Sequence, residues 1–203
     1  MKLAGILLLV PMLMFSATTH ASAAPQTVTY KLRASAAGQS SDFTLDQGVD
    51  ASAPASVAPN GAVKVTIDPA PNKIPAEAGG RQVREIKGLA LKLPVPGNSK
   101  FQSASLSGGA GLGGTPTVAL QGNDVVLSVP GPIKGGADFE LPTVTINLQA
   151  GGTGTITTKL GGTSYDAPGL TFTAVVTVIG FPVNAAAKGY PDPNPVLTTT
   201  TIG

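Results

Sequence analysis

The sequence predicts an all-β fold: a single antiparallel β-sandwich of about ten strands over residues 24–183, behind an N-terminal signal peptide. Three observations predict it. Apolar residues recur with a period of two along most of the chain. The 26 Gly and 18 Pro among 203 residues cut that pattern at short intervals. No stretch sustains a helical period free of both residue types. The best helical segment, 76–87, is short and contains Gly79-Gly80, so little helix is expected.

The first residues have the anatomy of an export signal. Lys2 is a short positive region, Leu3 to Phe15 an apolar core, and Ala21-Ser22-Ala23 a small-residue cleavage site. The apolar run is shorter than the ~20 residues a membrane-spanning helix needs. Cleavage near Ala23 would take away the single His (His20) and all three Met: Met1, Met12 and Met14. With Cys and Trp absent throughout, the exported chain then offers no Ser-His-Asp or Cys-His nucleophile. It also offers no Cys/His zinc site and no iron–sulfur or His/Met/Cys-ligated haem centre. No cofactor, metal or disulfide is expected, and no later segment reads as a transmembrane anchor. The near-neutral balance of charges gives no overall electrostatic reason to bind nucleic acid or an anionic membrane.

Each predicted strand follows from alternation. Val63, Val65 and Ile67 are separated by Lys64 and Thr66, and Leu89, Leu91 and Leu93 by Ala90 and Lys92. Val125, Leu127 and Val129 form the next face. Val144, Ile146 and Leu148 follow, and Leu170, Phe172, Ala174, Val176 and Val178 the last. Such segments bury one side against a core and leave a Thr/Lys-rich side in water. Gly122-Asn123 between two of these runs reads as a tight hairpin. Residues 184–203 differ in composition. Tyr190, Pro191, Pro193 and Pro195 mark a Pro-rich, extended, polyproline-like tail, with 195–202 either adding an edge strand or remaining loose.

Candidate chemistry is sparse. Gly109, Gly111 and Gly114 have the G-x-G-x-x-G spacing, but a dinucleotide site needs a helix after it, and Thr115-Pro116-Thr117-Val118 reads as a strand. The run Gly108, Gly109, Gly111, Leu112, Gly113, Gly114 is therefore expected to be a mobile surface loop and a contact region. Asp42, Asp46 and Asp50 share strand parity, but at about 3.3 Å per residue they stand too far apart to gather one cation. Asp138 and Glu140 have a spacing that a glycosidase pair permits, with no second acidic cluster beside them. Arg81, Arg84, Lys87 and Lys92 form a basic stretch broken by Glu85, which reads as a solvated strand face. The chain's aromatic rings are scattered and without Trp, which counts against a sugar-binding platform.

Two resemblances add to this. The segment 53–61 with the Val63 strand, then Leu93-Pro94-Val95-Pro96, Ser103-Ala104-Ser105-Leu106 and Gly135-Gly136-Ala137-Asp138-Phe139, resembles bacterial immunoglobulin-like surface modules and implies an immunoglobulin-like sandwich. A longer series resembles an exported actinobacterial family of β-sandwich proteins. It runs through Val28-Thr29-Tyr30, Ser105-Leu106-Ser107-Gly108-Gly109, Val129-Pro130-Gly131-Pro132-Ile133, Gly162-Thr163-Ser164-Tyr165, Pro168-Gly169-Leu170-Thr171-Phe172 and Tyr190-Pro191-Asp192-Pro193-Asn194-Pro195. The resemblance implies that relatives carry a Cys at the positions of Leu32 and Gly189, where a bridge would tie the first strand to the tail.

The expected function is that of a secreted or envelope-associated, non-enzymatic module that contacts another envelope protein or a wall polymer. Two alternatives remain open. One is a carrier of an apolar small molecule or lipid between the sheets. The other is a carboxylate hydrolase using Asp138 and Glu140.

Overall fold

The computed structural model describes residues 20–22 and 25–203. The expected signal peptide therefore lies outside the described residues, apart from the backbone of 20–22. Among the described residues every regular element is a strand. In chain order they are β1 (His20–Ser22), β2 (Gln26–Ala36), β3 (Gln39–Pro54), β4 (Ser56–Val57), β5 (Ala62–Pro69), β6 (Asn72–Lys73), β7 (Glu77–Ala78), β8 (Arg81–Pro94) and β9 (Ser99–Ser107). There follow β10 (Thr117–Gln121), β11 (Asp124–Val129), β12 (Ile133–Lys134), β13 (Asp138–Phe139), β14 (Thr143–Ala150), β15 (Gly154–Thr158), β16 (Leu170–Val178), β17 (Phe181–Pro191) and β18 (Thr198–Ile202).

The main sheet is one continuous path, β10-β11-β8-β16-β17-β2-β3-β5-β14-β9, with antiparallel neighbours throughout. Its two end strands, β9 and β10, come back beside one another, so the sheet is barrel-like and nearly closed. The long strand β3 makes the curvature possible. Its first part pairs with β2, its last part pairs with β5, and the two ladders meet at Val49. A smaller sheet, β15-β18-β4, includes the parallel pair β18 and β4.

Alternation becomes burial as expected. On β5, Val63, Val65 and Ile67 are buried while Ala62, Lys64 and Asp68 are exposed. On β14, Val144, Ile146 and Leu148 point inward. These side chains meet Leu32, Leu93, Leu127, Ile133 and Leu197 in a single core, each contributing roughly 1.5–3 kcal/mol of burial.

Two sequence expectations change. The segment 76–87 is not helical: Gly79 and Gly80, both at positive φ, turn β7 into β8, so its second half is an ordinary strand. The boundary at 183/184 also fails, because β17 runs through it and sits in the interior of the sheet between β16 and β2. The inward positions of β17 are Ala185, Ala187 and Gly189. They are small, Gly189 because Leu32 fills the space beside it, and so they carry no conspicuous hydrophobic signal.

Candidate functional site

The glycine run is the link between the two end strands of the sheet. It leaves β9 after Ser107, crosses the end of the barrel and enters β10 at Thr117. It is not the mobile loop expected from composition. Ala110 and Glu140 exchange backbone hydrogen bonds of 3.0 and 2.9 Å. Leu112 is buried in the core. Gly111 and Gly113 both have positive φ. A β-carbon would stand 2.5 Å from the Asp138 carbonyl oxygen at Gly111, and 1.9 Å from that of Pro132 at Gly113. These glycines let the loop lie flush on the segment 131–140, and the contact makes it rigid.

Rigid placement of this loop fixes a seam. Among the described residues β9 pairs only with β14, β10 pairs only with β11, and no ladder joins β9 to β10 across the gap. Two rows of backbone N–H and C=O groups are therefore left at neighbouring edges. The core is thin here. Phe101, Ala104, Leu106 and Val118 are only partly buried, and Leu120 is 43% exposed.

The other expected site residues fall elsewhere. Asp138 is exposed and within 3.9 Å of Lys73, while Glu140 is engaged through its backbone with Ala110. Neither lines the interior gap or the cleft described below. Asp42 is held by Arg33, whose Nε and Nη2 donate at 2.7 and 2.8 Å, and Asp46 accepts from the Thr29 hydroxyl. Asp50 is exposed, so the three aspartates do not converge through shared partners. The basic residues spread along β8, with Arg81 and Arg84 exposed and Lys87 and Lys92 half-buried.

The Pro-rich tail is ordered by specific contacts rather than extended in solvent. Tyr190 and Pro191 are the last residues of β17. Tyr190 meets Tyr165 edge-on at 5.2 Å, and the Arg33 guanidinium lies 4.1 Å from the Tyr165 ring centre. Lys31 forms an ion pair with Asp192. Asn194 donates to the Leu160 carbonyl at 2.8 Å, and the Leu197 amide donates to that of Thr158 at 2.9 Å. Pro193 is exposed and Pro195 half-buried on this short return, which leads into β18.

Two concavities bear on the carrier expectation. An apolar gap of about 40 Å³ inside the barrel is lined by residues that include Tyr30, Gln47, Phe139 and Leu160. Burial drives the Tyr30 phenol well above its ordinary range. Gln47 is buried there but satisfied, donating at 2.9 and 2.7 Å to the Gly48 and Ala70 carbonyls and accepting from Asn72. A cleft of about 210 Å³ opens beside the β2–β3 hairpin, walled by small residues such as Ala34, Ala174 and Ala185 and rimmed by Phe43 and Arg81. Periodicity could not show this cleft, because alanines at strand positions read as weak core.

No protein-family model matches the chain, and no curated protein matches it. Among solved structures the fold is similar to the crystal structure of a Corynebacterium diphtheriae protein described as membrane-anchored, with a TM-score of 0.55 and 18% identity. The likeness covers 89% of this chain and 38% of that one, so the chain spans well under half of its neighbour's length. Among the described residues no helix is long and apolar enough to cross a membrane. At this identity the likeness is one of fold: the chain shares its all-β architecture with part of an actinobacterial protein.

Proposed function

We propose that this chain is an exported, non-enzymatic module of the cell envelope, and that the seam between β9 and β10 parts to receive an extended segment of another envelope protein. The carrying observation is the pair of unpaired edges on β9 and β10, held in place by the rigid glycine loop. A strand laid on either edge gains main-chain hydrogen bonds, and the half-covered Leu106, Val118 and Leu120 supply apolar contacts for alternate side chains. On this reading the nearly closed sheet is a flattened immunoglobulin-like sandwich, and residues 1–23 are a signal peptide cut near Ala23. The likeness to part of a membrane-anchored protein and the exported-family resemblance support an envelope location.

The carrier alternative has less support. The interior gap of about 40 Å³ is far below the ~300 Å³ of ordinary ligand cavities. Asp138 and Glu140 gain no support as a catalytic pair, because among the described residues neither lines the interior gap or the cleft.

Amide hydrogen exchange tests the seam. With a cell-envelope extract added, exchange should slow at Ser99–Ser107 and Thr117–Gln121, and Leu120→Lys should abolish that protection. Unchanged exchange at both edges would sink the reading, as would protection confined to other strands. A wall polymer in place of a protein would reveal itself if protection survives protease treatment of the extract.

A further inference from the structure

The hairpin joining β16 to β17 lies on the far side of the sheet path from the seam. Its tip carries Ile179, 92% exposed, and Phe181, 72% exposed. No charged residue occurs between Asp166 and Lys188. The turn is made by Ile179 and Gly180 at φ of 50° and 82°. Positive φ at both turn positions suits Asn-Gly, and a β-branched side chain there is a costly choice. An apolar tip is thus kept on a turn that ordinary folding would give to a polar residue.

Beside this turn lies a shallow trough lined by Gln82, Arg84, Lys134, Gly135, Thr177 and Gly180. Arg84 and Lys134 are exposed, and among the described residues neither is in an ion pair. No carboxylate lines the trough. The acids nearest in register are Glu85, half-buried and opposite Lys134 on the neighbouring strand, and Glu77 on β7.

We propose that this tip and trough dock the protein on a lipid bilayer rich in anionic phospholipid. Ile179 and Phe181 enter the boundary between headgroups and acyl chains, and Arg84 and Lys134 take lipid phosphates. Two observations favour a bilayer over a protein partner. A convex point bearing two large side chains offers far less area than the ~800 Å² per partner of a stable protein interface, whereas a fluid bilayer closes around a point. The cations also stand next to the apolar tip, the arrangement in which insertion and headgroup attraction act together. The near-neutral charge of the whole chain conceals this local patch. The inference does not depend on the seam and can fail or hold separately from it.

Because the chain contains no Trp, Phe181→Trp gives a single fluorescent reporter at the tip. Its emission should shift to the blue, and the protein should co-sediment, with phosphatidylglycerol/phosphatidylcholine vesicles but not with phosphatidylcholine alone. The double variant Ile179→Asn/Phe181→Ser should bind about tenfold more weakly. Arg84→Gln and Lys134→Gln should each weaken binding to anionic vesicles about fivefold. Circular dichroism should show all variants folded, Ile179→Asn in particular because Asn suits the turn. The proposal is overturned if the polar-tip variant co-sediments like the parent or if neither vesicle binds. It is also overturned if inorganic phosphate occupies the trough and tip substitutions change nothing, which would make the site a receptor for free anions.

Discussion

Leu32 on β2 and Gly189 on β17 are register partners, and a β-carbon added at Gly189 would stand 2.4 Å from Leu32 Cδ2. The leucine fills the space that the glycine vacates. These are the two positions where the exported-family resemblance implies a Cys pair. Directly opposed residues of an antiparallel pair have Cα atoms about 4.5–5.5 Å apart, within disulfide range. Leu32→Cys/Gly189→Cys should therefore oxidise in air to a single intramolecular bridge. Urea unfolding should then show the oxidised form more stable than its reduced form by about 2–4 kcal/mol. A thiol titration finding both groups free after oxidation would contradict the register. Gly189→Ala alone should destabilise, since its new methyl group meets Leu32.

Gly113 makes a similar argument for the loop between β9 and β10. A methyl group there meets the Pro132 carbonyl at 1.9 Å, whereas at Gly108, also at positive φ, it would meet nothing within 4 Å. Gly113→Ala should cost about 3 kcal/mol, since backbone must shift. Gly108→Ala should cost about 1 kcal/mol, the penalty of left-handed backbone alone. Chemical denaturation of the two variants side by side measures the difference. Equal losses would mean that the loop is loose.

Ile179 is expected to be better replaced by a polar residue as far as folding is concerned. Relief of the left-handed conformation in Ile179→Asn should raise stability by about 1 kcal/mol and move the denaturation midpoint upward without changing its slope. A gain in stability accompanied by a loss of vesicle binding would separate the tip's cost to folding from its use.

The Arg33–Asp42 pair carries a pH signature. The two hydrogen bonds from the guanidinium hold the Asp42 carboxyl below its ordinary value in the folded protein. A depressed folded value means the stabilisation is complete above the unfolded carboxylate range and disappears as pH falls through the folded value. Both side chains are about half exposed, so the effect is modest and screened by salt. A carbon-detected NMR titration should place Asp42 below the ordinary aspartate range. Asp42→Asn should flatten the acid limb of the stability curve.

Much of the fold is legible in the sequence where inward positions are large. Val63, Val65 and Ile67 on β5, Val125, Leu127 and Val129 on β11, and Val144, Ile146 and Leu148 on β14 are all buried on strands of the main sheet. Legibility fails where size is traded between neighbours. β17 buries Ala185, Ala187 and Gly189, which look like tail composition, and Gly189 makes sense only beside Leu32. The glycine run is visible as a loop, but its rigidity depends on Pro132 and Asp138, which are remote in sequence. The trough is hidden for the same reason, because Arg84 and Lys134 come to line it only through the pairing of β12 with β8.

The adjacency of β2 and β17 has a consequence for the order of folding. The first long strand obtains one of its two neighbours only when Phe181–Pro191 is available, and β18 closes on β4 later still. Such remote pairings fold slowly, since chain closure must precede the contacts that reward it. A polypeptide emerging from its N-terminus first thus has no finished sheet until Phe181–Pro191 is free. Until then β2 keeps one edge unpaired, and the unfinished sheet leaves the chain slack enough to thread.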